Sequence, residues 1–354
     1  RKLNYEQNII QMKNYMIVVY FLFTYNLYGQ NVLSYNYEEI EGKDLKGSLV
    51  KTDELMDPTY LMFVDSMLII RNYQTEYHFD LLDLNTGHII SRFCRKGRGP
   101  GEIIYPITFQ IIPEKNLFMA YDLNLKKVNF YDFKAILKNN PASYIRSFKI
   151  DSAYAKDVLL LENGKYLCPL IGDNAGDNAR NKFCMLAPDG EYMGMIGTLP
   201  DIGVSYPTLL SSNIFDYWVG INKSRNKVVL AYDHWDRLEV IDIFGEIEVI
   251  IQGPKFKKTP EFIVKGQNIS ITYNNPLSYC SPCLDDKSFM VIYSGEKLSH
   301  TRSYSTALHF DYNGKLMAKY NLKPSVKRIA VDWKNRIIYG VNTKAEPSLY
   351  EYKF

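Results

Sequence analysis

An all-β chain closed into a six-bladed β-propeller, with four antiparallel strands per blade, is the fold this sequence predicts, on three observations. The 354 residues include 29 Tyr and 18 Phe against 3 Trp, and Tyr and Phe suit half-buried pleated surfaces. A short apolar strand behind a polar turn recurs six times along the chain. Gly, Asn and Asp recur at the turns, where a positive φ is needed. A hydrophobic content of 46% is enough for a substantial core. The 42 basic and 39 acidic side chains leave a net charge of +3. That balance predicts no electrostatic capture of nucleic acid, and no RNA-binding or zinc-finger spacing is present.

At the N-terminus, Met12-Lys13-Asn14 leads into a nearly all-apolar stretch from Tyr15 to Phe23, followed by the more polar Thr24 to Gln30. A short basic start, an apolar run of about ten residues and a small residue before a polar segment read as a secretory signal. Arg1 to Gln11 would be an upstream extension, with cleavage after Gly29. The run is short of the roughly 20 residues a spanning helix needs. No stable membrane insertion is therefore expected after cleavage, and an uncleaved N-terminal anchor is the alternative. No cysteine follows the run, so a lipid-modified N-terminus is not expected. The expected division is residues 1–30, extension and signal, and residues 31–354, one propeller domain in the periplasm or outside the cell. The five cysteines are Cys94, Cys168, Cys184, Cys280 and Cys283. An odd count leaves at least one thiol unpaired and is no disulfide framework.

The repeat is clearest where Lys115-Asn116-Leu117-Phe118-Met119-Ala120-Tyr121-Asp122 is set beside Asn226-Lys227-Val228-Val229-Leu230-Ala231-Tyr232-Asp233. Taking Met67, Leu117, Tyr166, Val228, Phe289 and Ile337 as equivalent points gives spacings of 50, 49, 62, 61 and 48. Units of that length match a four-stranded blade with its loops. A first strand precedes each marker: Tyr60 to Val64, Ile107 to Pro113, Asp157 to Leu161, Tyr217 to Ile221, Tyr279 to Leu284 and Arg328 to Trp333. Third and fourth strands meet at turns such as Pro188-Asp189-Gly190 and Asp311-Tyr312-Asn313-Gly314. In the second unit Phe133 to Asn140 replaces that turn with about one turn of helix. The sixth unit stops after its third strand, Ser348 to Phe354. Val32 to Ile40 has strand composition and no partner of its own, so it is expected to complete that last blade and close the ring.

The loop after the first unit reads Phe93-Cys94-Arg95-Lys96-Gly97-Arg98-Gly99-Pro100-Gly101-Glu102. On this loop and on the strands ending in Asp, the chain resembles the exported six-bladed propellers of Bacteroidetes, the TolB-like and NHL-like group. The resemblance covers most of the chain after residue 40. It implies the fold; it implies no established activity and carries over no catalytic residue.

Candidate binding residues come from two places. In the glycine-rich loop, Arg95 and Arg98 offer planar forks beside accessible backbone amides, which suits an anion. The competing reading is a structural crossover in which Glu102 caps backbone amides. At the ends of second strands, Arg71, Asp122 and Asp233, with His234 and Trp235, are expected at one rim, where they would line a ligand pocket over the channel. Against this, Asp at a strand end also caps the following turn. Asp173 to Asn178 is acidic but lacks calcium-loop spacing. Cys280-Ser281-Pro282-Cys283 falls within a predicted strand, so a strained local disulfide or two buried thiols is expected rather than a redox motif. Cys168 and Cys184 fall on adjacent strands, where a disulfide is geometrically conceivable. The histidines His78, His88, His234, His300 and His309 show no metal-ligand spacing, and no nucleophile elbow occurs.

These features lead to an expected exported, non-catalytic binding module that presents one loop-rich rim to a protein or glycan ligand. Tyrosines such as Tyr73, Tyr77, Tyr206 and Tyr217 would supply stacking surface. No cofactor, metal or catalytic residue is assigned. A hydrolase or lyase with its site at the channel mouth is the alternative.

Overall fold

The computed structural model describes residues 31–354, except residues 74, 141–142, 151–154, 171–180, 201–213, 223, 225, 266–267, 298–301 and 343–346. Three strands come first: β1 (Asn31–Ser34), β2 (Lys43–Lys46) and β3 (Ser48–Leu49). Blade one is β4 (Pro58–Val64), β5 (Met67–Asn72), β6 (Tyr77–Asp83) and β7 (Ile89–Arg95). Blade two is β8 (Pro106–Ile112), β9 (Leu117–Asp122), β10 (Lys127–Asp132) and β11 (Tyr144–Lys149). Blade three is β12 (Leu159–Leu160), β13 (Tyr166–Pro169), β14 (Asn181–Leu186) and β15 (Tyr192–Thr198). Blade four is β16 (Tyr217–Asn222), β17 (Lys227–Tyr232), β18 (Arg237–Asp242) and β19 (Ile247–Gln252). A hairpin, β20 (Phe262–Lys265) and β21 (Asn268–Ile271), intervenes before blade five, and the sequence pattern did not announce it. Blade five is β22 (Tyr279–Leu284), β23 (Ser288–Tyr293), β24 (Tyr304–Asp311) and β25 (Leu316–Val326). Blade six is β26 (Arg328–Asp332), β27 (Ile337–Asn342) and β28 (Ser348–Lys353), with β3 as its fourth strand.

Each blade is a meander of antiparallel strands whose first strand is innermost. The turns predicted between third and fourth strands do use positive φ, as at Gly190 (92°) and Gly314 (83°). The helix in blade two, α1 (Phe133–Leu137), is capped by Asp132, whose side chain accepts from Ala135 N at 3.0 Å.

Alternation explains why second strands read as continuous apolar runs. In β9, Phe118 and Ala120 enter the cluster shared with blade one, while Met119 and Tyr121 enter the cluster shared with blade three. A strand with period-two side chains that is covered on both faces has no polar side to show. Six such clusters lie between neighbouring blades, the last joining blade six to blade one through Leu61, Ile70, Tyr339 and Val341. The sheets therefore close into a ring.

Closure by an N-terminal strand holds in kind, with a correction to its residues. The strand that completes blade six is β3, with Leu49 opposite Tyr350. Val32 to Ile40 lies elsewhere: its β1 part runs parallel to β19 as a fifth strand on blade four. The strand after it, β2, runs parallel to β25 on blade five. The reason is aromatic anchoring. Tyr37 is buried between blades four and five, its hydroxyl 2.9 Å from that of Tyr279. Tyr35 donates to Gly314 O at 2.9 Å, and Lys319 Nζ binds the carbonyls of Tyr37 and Ile40. The segment is fixed two blades before the gap it was expected to fill.

Candidate functional site

First strands line the channel, which is open space at both ends. At the end carrying the first hairpin turns, a cavity of 810 Å³ is bounded by Asp65, Asp285, Asp332 and Trp333. At the other end, where the chain crosses between blades, a cavity of 340 Å³ is bounded by residues of five blades. Its walls include Tyr60 and Arg71 from blade one, Tyr105 and Gln110 from the approach to and the body of blade two, Lys156 and Asp157 before blade three, Tyr217 and Trp218 from blade four, and Pro282 from blade five. These residues stand where they do because first strands start at this face and second strands, such as β5 with Arg71, end there.

Polar groups in the walls are held in place by the backbone. Gln110 Oε1 accepts from Leu160 N at 2.8 Å, and Thr108 Oγ1 accepts from Val158 N at 3.3 Å. Lys156 pairs with Asp216, donates to Tyr217 O at 2.8 Å and lies over the Tyr217 ring. Burial raises the carboxyl of Asp157 to about 7. The Cys280–Cys283 segment carries a bulge, with Ser281 at φ 50°, which brings Pro282 into the channel. Gly220 admits it: a Cβ there would stand 2.4 Å from Leu284 Cδ1. Behind this lining, Arg328 of blade six holds its guanidinium 4.3 Å from the centroid of the wall residue Trp218.

The residues singled out from the sequence separate on this frame. Arg71 lines the cavity. Asp233 lies at the same face, buried, accepting from Arg302 Nη1 at 2.6 Å with His234 Nε2 at 3.5 Å. Asp122 is fully buried and receives the amides of Ile104 (2.6 Å), Asn124 (3.0 Å) and Leu125 (3.1 Å), so it caps its own turn. Trp235 is packed against Tyr232 and Phe256 and donates to Lys257 O at 2.6 Å, away from the cavity. Arg95 is exposed and pairs with Glu76 at 2.8 Å, and Arg98 is exposed. Glu102 accepts from Gly99 N at 2.8 Å, and its carboxylate occupies the space a Cβ on Gly97 would need. Tyr206, His300 and Asp173 to Asn178 lie outside the described residues.

Thr59, Tyr105, Lys156, Asp157, Trp218 and Arg328 were missed. The available signal was positional: each lies at or just before the start of a first strand, so the six starts taken together would have named this mouth. All five cysteines are free thiols, including Cys168 and Cys184, which are direct register partners. Among the described residues, no three His, Cys, Asp or Glu side chains converge on a metal position. No helix among them is long and apolar enough to cross a membrane.

A closed ring of six sheets with a cavity at each end of its channel is the class these features define. The chain belongs to the TolB-like 6-blade propeller-like family, whose model matches residues 41–334. No curated protein matches it. Among solved structures it is similar to a protein described as exported from Bacteroides fragilis NCTC 9343, with a TM-score of 0.60 at 12% identity, over 92% of this chain and 99% of that one. It is also similar to a member of the DUF4221 family from Bacteroides vulgatus ATCC 8482, with a TM-score of 0.51 at 10% identity, over 89% and 97%. Likeness at these identities concerns the fold alone.

Proposed function

We propose that the chain is an exported, non-catalytic binding module that receives its ligand at the crossover end of the channel. The observation that carries this reading is the 340 Å³ cavity itself, within the range of small-ligand sites, with walls of tyrosine, tryptophan and oriented polar groups drawn from five blades. Export is supported by the apolar stretch from Tyr15 to Phe23 with its basic start, and by the exported protein of the same fold.

A thermal-shift screen of glycans and peptides tests the binding site, since a ligand bound only by the native state raises Tm. The expected hit raises Tm of the wild type and loses its effect with Trp218→Ala. Hits that survive this substitution unchanged place binding elsewhere and defeat the reading. N-terminal sequencing of protein recovered from the periplasm or medium tests export, with a start near Gln30 expected. A hydrolase or lyase is the second reading, favoured by Asp157, because a cavity carboxyl that titrates near neutral pH suits general acid–base work. Turnover abolished by Asp157→Asn would support it.

A further inference from the structure

Two acidic groups at this mouth are ion-paired, Asp233 with Arg302 and Asp216 with Lys156, while Asp157 forms no ion pair among the described residues and feels Lys156 and Arg71 only at a distance. Two of the cations form no ion pair. Arg71 and Arg328 are each 7% exposed, and among the described residues neither forms an ion pair with a carboxylate. Their donors go to neutral oxygens. Arg71 Nε binds Thr59 Oγ1 at 2.9 Å and its Nη1 binds Pro106 O at 2.7 Å, while its Nη2 reaches only Tyr73 Oη at 3.4 Å. Arg328 Nε binds Thr59 O at 3.1 Å and its Nη1 binds Lys327 O at 2.8 Å, while its Nη2 finds no acceptor among the described residues.

Both guanidinium groups thus hang from one residue, Thr59, and two like charges are held near each other out of water. Lys327 adds a third cation, half-buried, whose pKa is lowered by burial and then by Arg328. Burying a charge without its opposite is costly, and burying two together is more so. Trp218 and Tyr73 lie 4.3 Å and 5.3 Å from the guanidinium carbons of Arg328 and Arg71, which fixes the planes and offsets part of that cost. A planar fork with an open Nη is what a carboxylate meets with two parallel hydrogen bonds.

We propose that the mouth binds a small organic anion bearing one carboxylate, held between Arg71 and Arg328 with its body in the cavity beside Tyr60, Tyr105 and Gln110. This rests on the channel-mouth reading and names the chemistry of its ligand. A single carboxylate fits better than a phosphate or polyanion because Asp157, which has no ion pair among the described residues, stands in the same walls and, when ionised, repels a second negative charge.

Calorimetric titration of the whole chain tests it with D-glucuronate against glucose, and with N-acetylphenylalanine against its amide, alongside inorganic phosphate. At least one acid is expected to bind at least tenfold more tightly than both its neutral counterpart and phosphate. Glucuronate alone would identify a sugar acid, and N-acetylphenylalanine alone a peptide C-terminus. Arg71→Gln and Arg328→Gln are each expected to weaken binding at least tenfold without lowering the Tm of the free protein, because each removes one of two unpaired charges. A purely structural arginine would lower Tm instead. Should a Gln variant fail to fold, Arg328→Lys keeps the charge and loses the fork, and a clear loss of affinity is still expected. Neutral counterparts that bind as well as the acids, absence of acid binding at millimolar concentration, or unchanged affinity in the arginine variants would overturn the proposal. A neutral ligand lost with Trp218→Ala would leave the channel-mouth reading standing while the carboxylate reading falls.

Discussion

Glu239 shows how this ring tolerates charge between blades. It is fully buried, with Lys182 Nζ at 2.6 Å and Arg237 Nε and Nη2 at 2.8 and 2.7 Å. Burial opposes its charge, but Lys182 and Arg237 outweigh burial and hold the carboxyl below the usual glutamate range. Glu239→Gln leaves Lys182 charged, buried and without its anion, and should cost about 3–5 kcal/mol in urea unfolding. Because the folded pKa is depressed, this contribution is present above the unfolded value of ~4.3 and is lost as pH falls further. Asp157 behaves in the opposite sense. Its pKa is raised to about 7, so no penalty exists below the unfolded value of ~3.9, and one grows as pH climbs from there towards 7. Asp157→Asn should therefore raise Tm at pH 8 and leave it nearly unchanged at pH 4. Equal shifts at both values would mean the carboxyl is not buried as described.

At the level of strands, what the sequence revealed and what it concealed have a common cause. Second strands such as Leu117–Asp122 serve two interblade clusters at once, so their apolar runs stand out and their spacing counts the blades. The closing segment carries no such mark. Lys43–Lys46 and Ser48–Leu49 are short, half-charged or small, and paired with strands at the far end of the chain. The more hydrophobic Val32 to Ile40 drew the prediction instead. The mouth was hidden for a related reason: Arg328, Trp218 and Asp157 are scattered over three blades and form no local motif, whereas Arg71 was visible because it ends a marked strand. Within the closing segment, Leu45 is buried against Tyr320, Leu322 and Tyr352, while Leu49 is 66% exposed. Leu45→Ala should destabilise by about 2–5 kcal/mol and Leu49→Ala by less than about 0.5 kcal/mol, as read from paired denaturation curves.

Across the whole molecule, no blade owns its core. Each sheet is covered on both faces by its neighbours, so far-UV and near-UV signals should report one coincident thermal transition. Thiol chemistry offers a second global test. Cys94, Cys168, Cys184 and Cys280 are buried, and burial also pushes the Cys283 thiol up to about 12. The reduced native protein should react slowly with a thiol reagent, and all five cysteines should react in denaturant. The pairing of Leu49 with Tyr350 has a kinetic meaning as well. The ring is sealed by two stretches at opposite ends of the chain, and bringing distant stretches together carries an entropic delay that nearer contacts do not repay until late. Meanwhile the outer borders of three sheets, β19, β25 and β28, stand open to any passing backbone. Productive folding is thus a race between the homecoming of one short N-terminal segment and adhesion to a stranger.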